Sequence, residues 1–189
     1  MPVIICMLRG VNVGGHNKLK MDVLRAICTS LKCESPETLL QSGNVVFRSN
    51  NKNPAQLEKQ IGTAIEKKLE FRPEVLLRTV RELREAMARN PFLKRSGIEP
   101  SKLVVTFLGR ELNAPAKKAL LGMDIGPEEV HVLGRELYIY FPNGQARPKI
   151  SWSRTEKIIG PAFTSRNWNT VTKLLQLAED LDVRSQSCG

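Results

Sequence analysis

The chain opens on an unbroken apolar run, residues 3–8, short enough for a buried strand. Polar residues fill positions 9–18. From Met21 the period changes: Met21, Leu24, Ile27, Cys28 and Leu31 recur at helical spacing and give residues 21–32 one apolar face. Residues 38–41 read as a strand, Ser42-Gly43 as a tight turn, and 44–48 as the returning strand. Pro54 opens a second helix with Leu57, Ile61, Ile65 and Leu69 facing inward. A further strand centres on Val75-Leu76-Leu77. The order is βαββαβ, the split pattern of ferredoxin-like domains.

A helix over 80–89, stopped by Asn90-Pro91, and a polar loop over 94–100 come next. The pattern then restarts: strand 103–108, helix 114–121, strands 129–133 and 136–141 around Gly134-Arg135, helix 152–159 and a short strand over 162–165. An amphipathic helix over 169–181 closes the chain with Val171, Leu174, Leu175 and Ala178 inward. These spans predict an α+β protein of two tandem ferredoxin-like halves with a closing C-terminal helix. The expected boundaries are 1–79 for the first half, 80–100 for the linking helix and loop, 101–182 for the second half with its C-terminal helix, and 183–189 for a flexible tail.

Strand direction carries a functional consequence. A β-α-β crossover makes the first two strands parallel, and the hairpin reverses the third. The loop after the first strand and the turn after the second then share one end of the sheet. With the third strand between the first two, Gln41, Ser42 and Asn44 come to lie beside Arg9, Asn12 and Lys18.

With 189 residues, 41% hydrophobic and 25% charged, the chain has an ordinary globular composition. No apolar run approaches the roughly 20 residues of a membrane span. Met1-Pro2-Val3 places no basic region before the apolar run, so a secretory signal is not expected. The four cysteines form no Cys-x-x-Cys pair, which fits a reduced, cytoplasmic setting. His16 and His131 lack ligand spacing, so neither a metal nor a cofactor is expected. The net charge of +10 favours acidic partners such as nucleic acid or phosphorylated metabolites, and equally serves a solvated surface.

Three stretches carry candidate chemistry. The first is Arg9-Gly10-Val11-Asn12-Val13-Gly14-Gly15-His16-Asn17-Lys18, between a strand and a helix. Gly14 and Gly15 free the backbone to turn N–H groups toward an anion, Arg9 and Lys18 supply charge, and Asn12 and Asn17 supply amides. The spacing is neither that of a Walker loop nor that of a dinucleotide fingerprint. The same glycines also serve a plain tight turn, and Asn12 can hold the loop through its own backbone. The second stretch, Gln41-Ser42-Gly43-Asn44, is a polar hairpin cap. No Asp–His pair is placed to activate Ser42, and no paired carboxylates offer acid–base chemistry. The third is Arg166-Asn167-Trp168-Asn169-Thr170, where an asparagine can cap the last helix while Arg166 contacts an anion. Trp168 suits either base stacking or packing.

Together these motifs mark a family. The chain resembles the bacterial domain-of-unknown-function family 1697 along nearly its full length. The resemblance rests on residues 9–15 with Asn17-Lys18, on Gln41-Ser42-Gly43-Asn44-Val45-Val46-Phe47, on Asn90-Pro91-Phe92, on Val105-Thr106-Phe107-Leu108, on Gly134-Arg135-Glu136-Leu137-Tyr138, and on Arg166-Asn167-Trp168-Asn169-Thr170-Val171. It implies tandem ferredoxin-like folds and brings no established activity with it. This chain departs at His16, where relatives tend to carry a basic residue. It departs again at Arg147-Pro148-Lys149-Ile150, which replaces a Gly-x-x-Ser-Lys-Leu-like segment.

The leading expectation is a binding protein for a phosphate-bearing ligand, RNA and DNA included, at the edge formed by the 9–18 loop and the 41–44 turn. Arg9 and Lys18 neutralise charge there, and Asn12, Gln41, Ser42 and Asn44 orient the ligand. Gly14, Gly15, Asn17, Arg166, Asn167 and Asn169 complete the candidate set. Two alternatives stand beside it. One is an enzyme acting on a small phosphorylated or carboxylated metabolite, with His16 or Ser42 as base or nucleophile. The other is a structural or interaction protein whose motifs serve folding.

Overall fold

A computed structural model describes residues 1–186. The elements are β1 (Val3–Leu8), α1 (Met21–Ser30), β2 (Glu34–Leu39), β3 (Asn44–Arg48), α2 (Pro54–Leu69), β4 (Val75–Thr79) and α3 (Val80–Ala88). Short 3-10 turns at Pro91–Lys94 and Pro100–Lys102 lead into β5 (Leu103–Leu108), α4 (Ala114–Leu121), β6 (Glu129–Leu133), β7 (Glu136–Tyr140), α5 (Trp152–Ile159), β8 (Phe163–Asn167) and α6 (Trp168–Gln186). The protein is thus mixed α+β. Its strands form two four-stranded antiparallel sheets, ordered β2-β3-β1-β4 and β6-β7-β5-β8. No described helix is long and apolar enough to cross a membrane.

The chain divides into two compact units. The first holds residues 1–84 with α6 from Lys173 onward; the second holds residues 85–172. In the first unit, Cys6, Leu8, Val45 and Phe47 from the sheet pack with Leu24, Ile27 and Cys28 of α1 and with Leu57, Ile61 and Ile65 of α2. In the second, Val104, Leu108, Leu137 and Ile139 pack with Leu120 of α4 and Ile159 of α5. β1 and β5 are buried on both faces, which is why each reads as a continuous apolar run.

Helix starts follow local chemistry. Asn53 accepts from the Gln56 N–H and Pro54 sits at the first position of α2. Asn113 and Ser151 cap α4 and α5 in the same way. Thr79 and Glu82 make a reciprocal capping box at α3: the Thr79 hydroxyl accepts from the Glu82 N–H at 3.1 Å, and the Glu82 carboxylate accepts from the Thr79 N–H at 2.8 Å. Lys20, at the start of α1, has no side-chain acceptor to offer and caps nothing.

Four expectations are corrected. β2 spans Glu34–Leu39, not 38–41, and ends where Leu40 turns left-handed at φ 58°. It is an edge strand with a register shift between Glu34 and Glu37, so it tolerates Pro36 and shows no apolar alternation. β8 extends to Asn167 and runs into α6 with no loop. α6 continues to Gln186, so residues 183–186 of the expected tail are helical, and 187–189 lie outside the described residues. From Lys173 on, α6 belongs with the first unit and not with the second half. There Arg48 donates to the Leu181 carbonyl, Arg84 pairs with Glu179 at 2.7 Å, and Arg184 pairs with Glu37 at 2.8 Å.

Candidate functional site

β1 delivers the 9–18 loop to the same end of the first sheet as the β2–β3 turn, and backbone bonds fix the end of β1 to that turn and the start of the loop to the entry of β4. The Leu8 N–H donates to the Gly43 carbonyl at 2.8 Å, and the Arg9 N–H to the Glu74 carbonyl at 2.9 Å. Asn12 is the clasp. Its Nδ2 donates to the Gln41 carbonyl at 2.6 Å and to the Leu19 carbonyl at 2.8 Å, while its Oδ1 accepts from the Leu19 N–H at 2.9 Å. It holds the left-handed conformation, φ 55°, that asparagine tolerates better than most residues.

The tip of the loop is a miniature hairpin. Val13 bridges His16, and Gly14 and Gly15 form the turn at φ 58° and 80°. The glycines therefore build a projecting turn. Asn17 steadies it, with Nδ2 on the Gly10 carbonyl at 2.9 Å and its own carbonyl accepting from the Asn12 N–H at 3.1 Å.

The β2–β3 turn is held from inside. Asn44 is fully buried, and its Nδ2 donates to the Leu39 carbonyl at 3.1 Å and to the Ser42 hydroxyl at 2.8 Å. Gly43 sits at φ 72° against Leu8, whose Cβ would lie 2.9 Å from an added Cβ. Gln41, with an exposed side chain, faces a cleft of about 450 Å³ that sequence reasoning did not anticipate. Lys20 just before α1, Asp22 and Arg25 of α1 and Thr38 of β2 share its lining. Arg25 Nη1 donates to Thr38 Oγ1 at 2.7 Å, which fixes the guanidinium at the wall. The N-terminal end of α1 opens here, and its dipole adds positive potential to that of Lys20 and Arg25. Leu40, which lines the cleft, and Val13, at the loop tip, are largely exposed. Lys18 and His16 are exposed, and Arg9 is half-buried.

The Arg166 group belongs to the second unit. Arg166 is buried, donating from Nη1 to the Thr164 hydroxyl at 2.7 Å and to the Ser165 carbonyl at 2.8 Å. Asn167 accepts from the Asn169 N–H at 3.0 Å, as a helix cap does, and donates to the Ser101 carbonyl at 2.7 Å. Trp168 is buried, and Asn169 is exposed on the first turn of α6. The two units repeat this arrangement, which the sequence analysis missed. Arg78 pairs with Ile5 in β1 just as Arg166 pairs with Val105 in β5, and each buried arginine donates to the preceding carbonyl. The signal was an arginine one residue before a helix-capping Thr or Asn at the end of each half.

Other chemistry is limited. Burial pushes the Cys28 thiol up to about 12, with the neighbouring Cys33 adding to the effect, and burial raises Cys33 to about 11. Both are poor nucleophiles at neutral pH. Among the described residues no group of three or more His, Cys, Asp or Glu is placed to hold a metal. Lys149, in the segment that replaces the Gly-x-x-Ser-Lys-Leu-like stretch, donates its N–H to buried Glu128 at 2.8 Å.

The family model for proteins of unknown function designated DUF1697 matches residues 1–138. The chain belongs to this family. A solved member of the structural neighbourhood, the conserved bacterial protein SP0830 from Streptococcus pneumoniae, is 22% identical with a TM-score of 0.71, over 95% of this chain and 99% of that one. At that identity the likeness speaks for the fold. No curated protein matches the chain. Within this DUF1697 protein the Asn90-Pro91-Phe92 motif is an anchor: Asn90 accepts from the Phe92 N–H at 3.0 Å, and the buried Phe92 ring meets His131 at 5.1 Å.

Proposed function

We propose that this DUF1697 protein binds a phosphate-bearing ligand at the edge of its first unit, with the cleft beside Gln41 as the seat of the anion. The observation that carries this reading is the convergence of Lys20, Arg25 and the Gln41 side chain on one cleft at the start of α1. In this reading Asn12, Asn17, Ser42 and Asn44 hold the two loops in register. Lys18, Arg9 and the Gly14-Gly15 tip lie outside that lining, and in this reading they serve a longer ligand such as a nucleic acid. Arg166, Asn167 and Asn169 hold the strand-to-helix junction of the second unit. We read the two sheets as tandem ferredoxin-like halves, a reading supported by the repeated βαββαβ order and strand order. We place the protein in the cytoplasm, a setting that the reduced thiols of Cys28 and Cys33 suit.

The test begins with thermal shift and calorimetry against inorganic phosphate, nucleotides and sugar phosphates. Labelled single- and double-stranded RNA and DNA follow at two salt concentrations. The expected result is salt-sensitive binding that Lys20→Ala and Gln41→Ala each weaken roughly tenfold, the cost of about one charge-assisted contact. Binding indifferent to both substitutions overturns the assignment.

A further inference from the structure

The opposite end of the first sheet carries a second feature. Two hollows adjoin there. One, of about 610 Å³, lies among Lys32, Ser49, Asn50 and Asn51. The other, of about 450 Å³, runs along α2 past Lys59, Ala64 and Lys67. They share Leu31 and Gln60, and so form one continuous groove beside α2.

Its chemistry is specific. Leu31 and Ala64 flank the first core as partly buried apolar side chains, and they leave an apolar strip in the groove. Lys32, Lys59 and Lys67 are exposed, as is Glu34, so the lining carries three lysines against one carboxylate. Lys59, Thr63 and Lys67 follow one another at four-residue spacing, so both lysines stand on one face of α2. Glu66, the acid beside Lys67, pairs with Arg72 at 3.5 Å. From Gln56 to Lys67 the helix advances about 16 Å, which is roughly three turns. Among the described residues neither hollow is lined by an aromatic ring or an arginine. The groove therefore lacks both a stacking platform for bases and a planar fork for phosphates.

We propose that this groove docks an acidic amphipathic helix of a partner protein. The helix lays its apolar stripe on Leu31 and Ala64 and sets its carboxylates against Lys32, Lys59 and Lys67. Gln60 and Asn51 complete a polar rim. The site is separate from the cleft beside Gln41 and stands or falls independently of it.

Fluorescence anisotropy on the full chain tests the proposal. The probe is a labelled peptide of about 14 residues with Leu at i, i+3, i+4 and i+7 and Glu on the flanking positions. A matched peptide with Gln for Glu and an oligo-dT of similar length serve as comparisons. The Glu peptide is expected to bind at low salt at least about tenfold more tightly than either. Lys59→Glu with Lys67→Glu is expected to abolish that binding. Lys118→Glu with Lys157→Glu, an equal charge change on exposed lysines of the second unit, is expected to leave it within about twofold. Thermal melts confirm that both double variants remain folded. The proposal is overturned by failure of the Glu peptide to bind, by equal loss in the two double variants, or by tighter oligonucleotide binding that the Lys59/Lys67 pair controls.

Discussion

Asn12 shows how one side chain ties two loops to a fold. Its amide joins Leu19 and Gln41, residues far apart in sequence, in a left-handed conformation that asparagine adopts at less cost than most residues. Asn12→Ala removes three hydrogen bonds and adds left-handed strain, so a loss of about 2 kcal/mol is expected in urea unfolding. Gly43→Ala, which would press a methyl onto Leu8, is expected to cost about 1–3 kcal/mol. If either variant matches the parent protein, the loops are not held as described. The adjacency of Asn12 and Gln41 was legible in the sequence, because strand direction alone sends both loops to one end of the sheet. Lys20 and Arg25 were not, since only the packing of α1 against β2 decides that a lysine before a helix and an arginine on its flank face the same cleft. Cys28 supplies a pH test. Its folded pKa of about 12 lies above the ordinary thiol value of 9.0. From pH 9 upward the unfolded thiol ionises while the folded one keeps its proton, so stability falls by up to about 1.4 kcal/mol per pH unit. Urea midpoints measured from pH 8 to 10 should decline less steeply in Cys28→Ala than in the parent. An identical slope would place the alkaline sensitivity elsewhere.

At the level of elements, legibility followed burial. β1, β5, α1 and α2 have strong apolar patterns because their inner faces are fully enclosed. β2 escaped because an edge strand carrying Glu34, Pro36 and Glu37 satisfies its partner on one side only and needs no apolar alternation. The strand-to-helix junctions are the least legible and the most alike. Thr79 ends β4 and caps α3; Asn167 ends β8 and caps α6. Thr79→Ala is expected to lower stability by about 1 kcal/mol and to raise amide exchange in the first turn of α3, as loss of a cap does. Exchange unchanged in that turn would show that the Glu82 carboxylate suffices.

For the whole molecule, charge and connectivity matter more than any single contact. The excess of lysine and arginine is shared by both units, so weak, salt-sensitive attraction to polyanions is expected whatever the specific ligand. Only binding that a local substitution removes identifies a site. The C-terminal helix is tied to the first unit by Arg48, Arg84 and Arg184, and its Leu174, Ala178 and Leu181 are buried. Ending the chain at Thr172 is therefore expected to strip exchange protection from β2 and β3 more than from β6 and β7. The reverse pattern would remove those residues from the first unit.

That division of the chain sets an order on its birth. The residues of the first sheet leave the ribosome before the second unit does, and the stretch of α6 that completes their unit follows after it. At the usual pace of about 5–20 residues per second, the entire second unit must be synthesised in between, a delay of roughly 4–18 s. During that interval the nascent first unit lacks Leu174, Ala178 and Leu181, while the second unit, contiguous in sequence, has every residue it needs as soon as it emerges. The first unit is the one that waits, for as long as the second takes to be made.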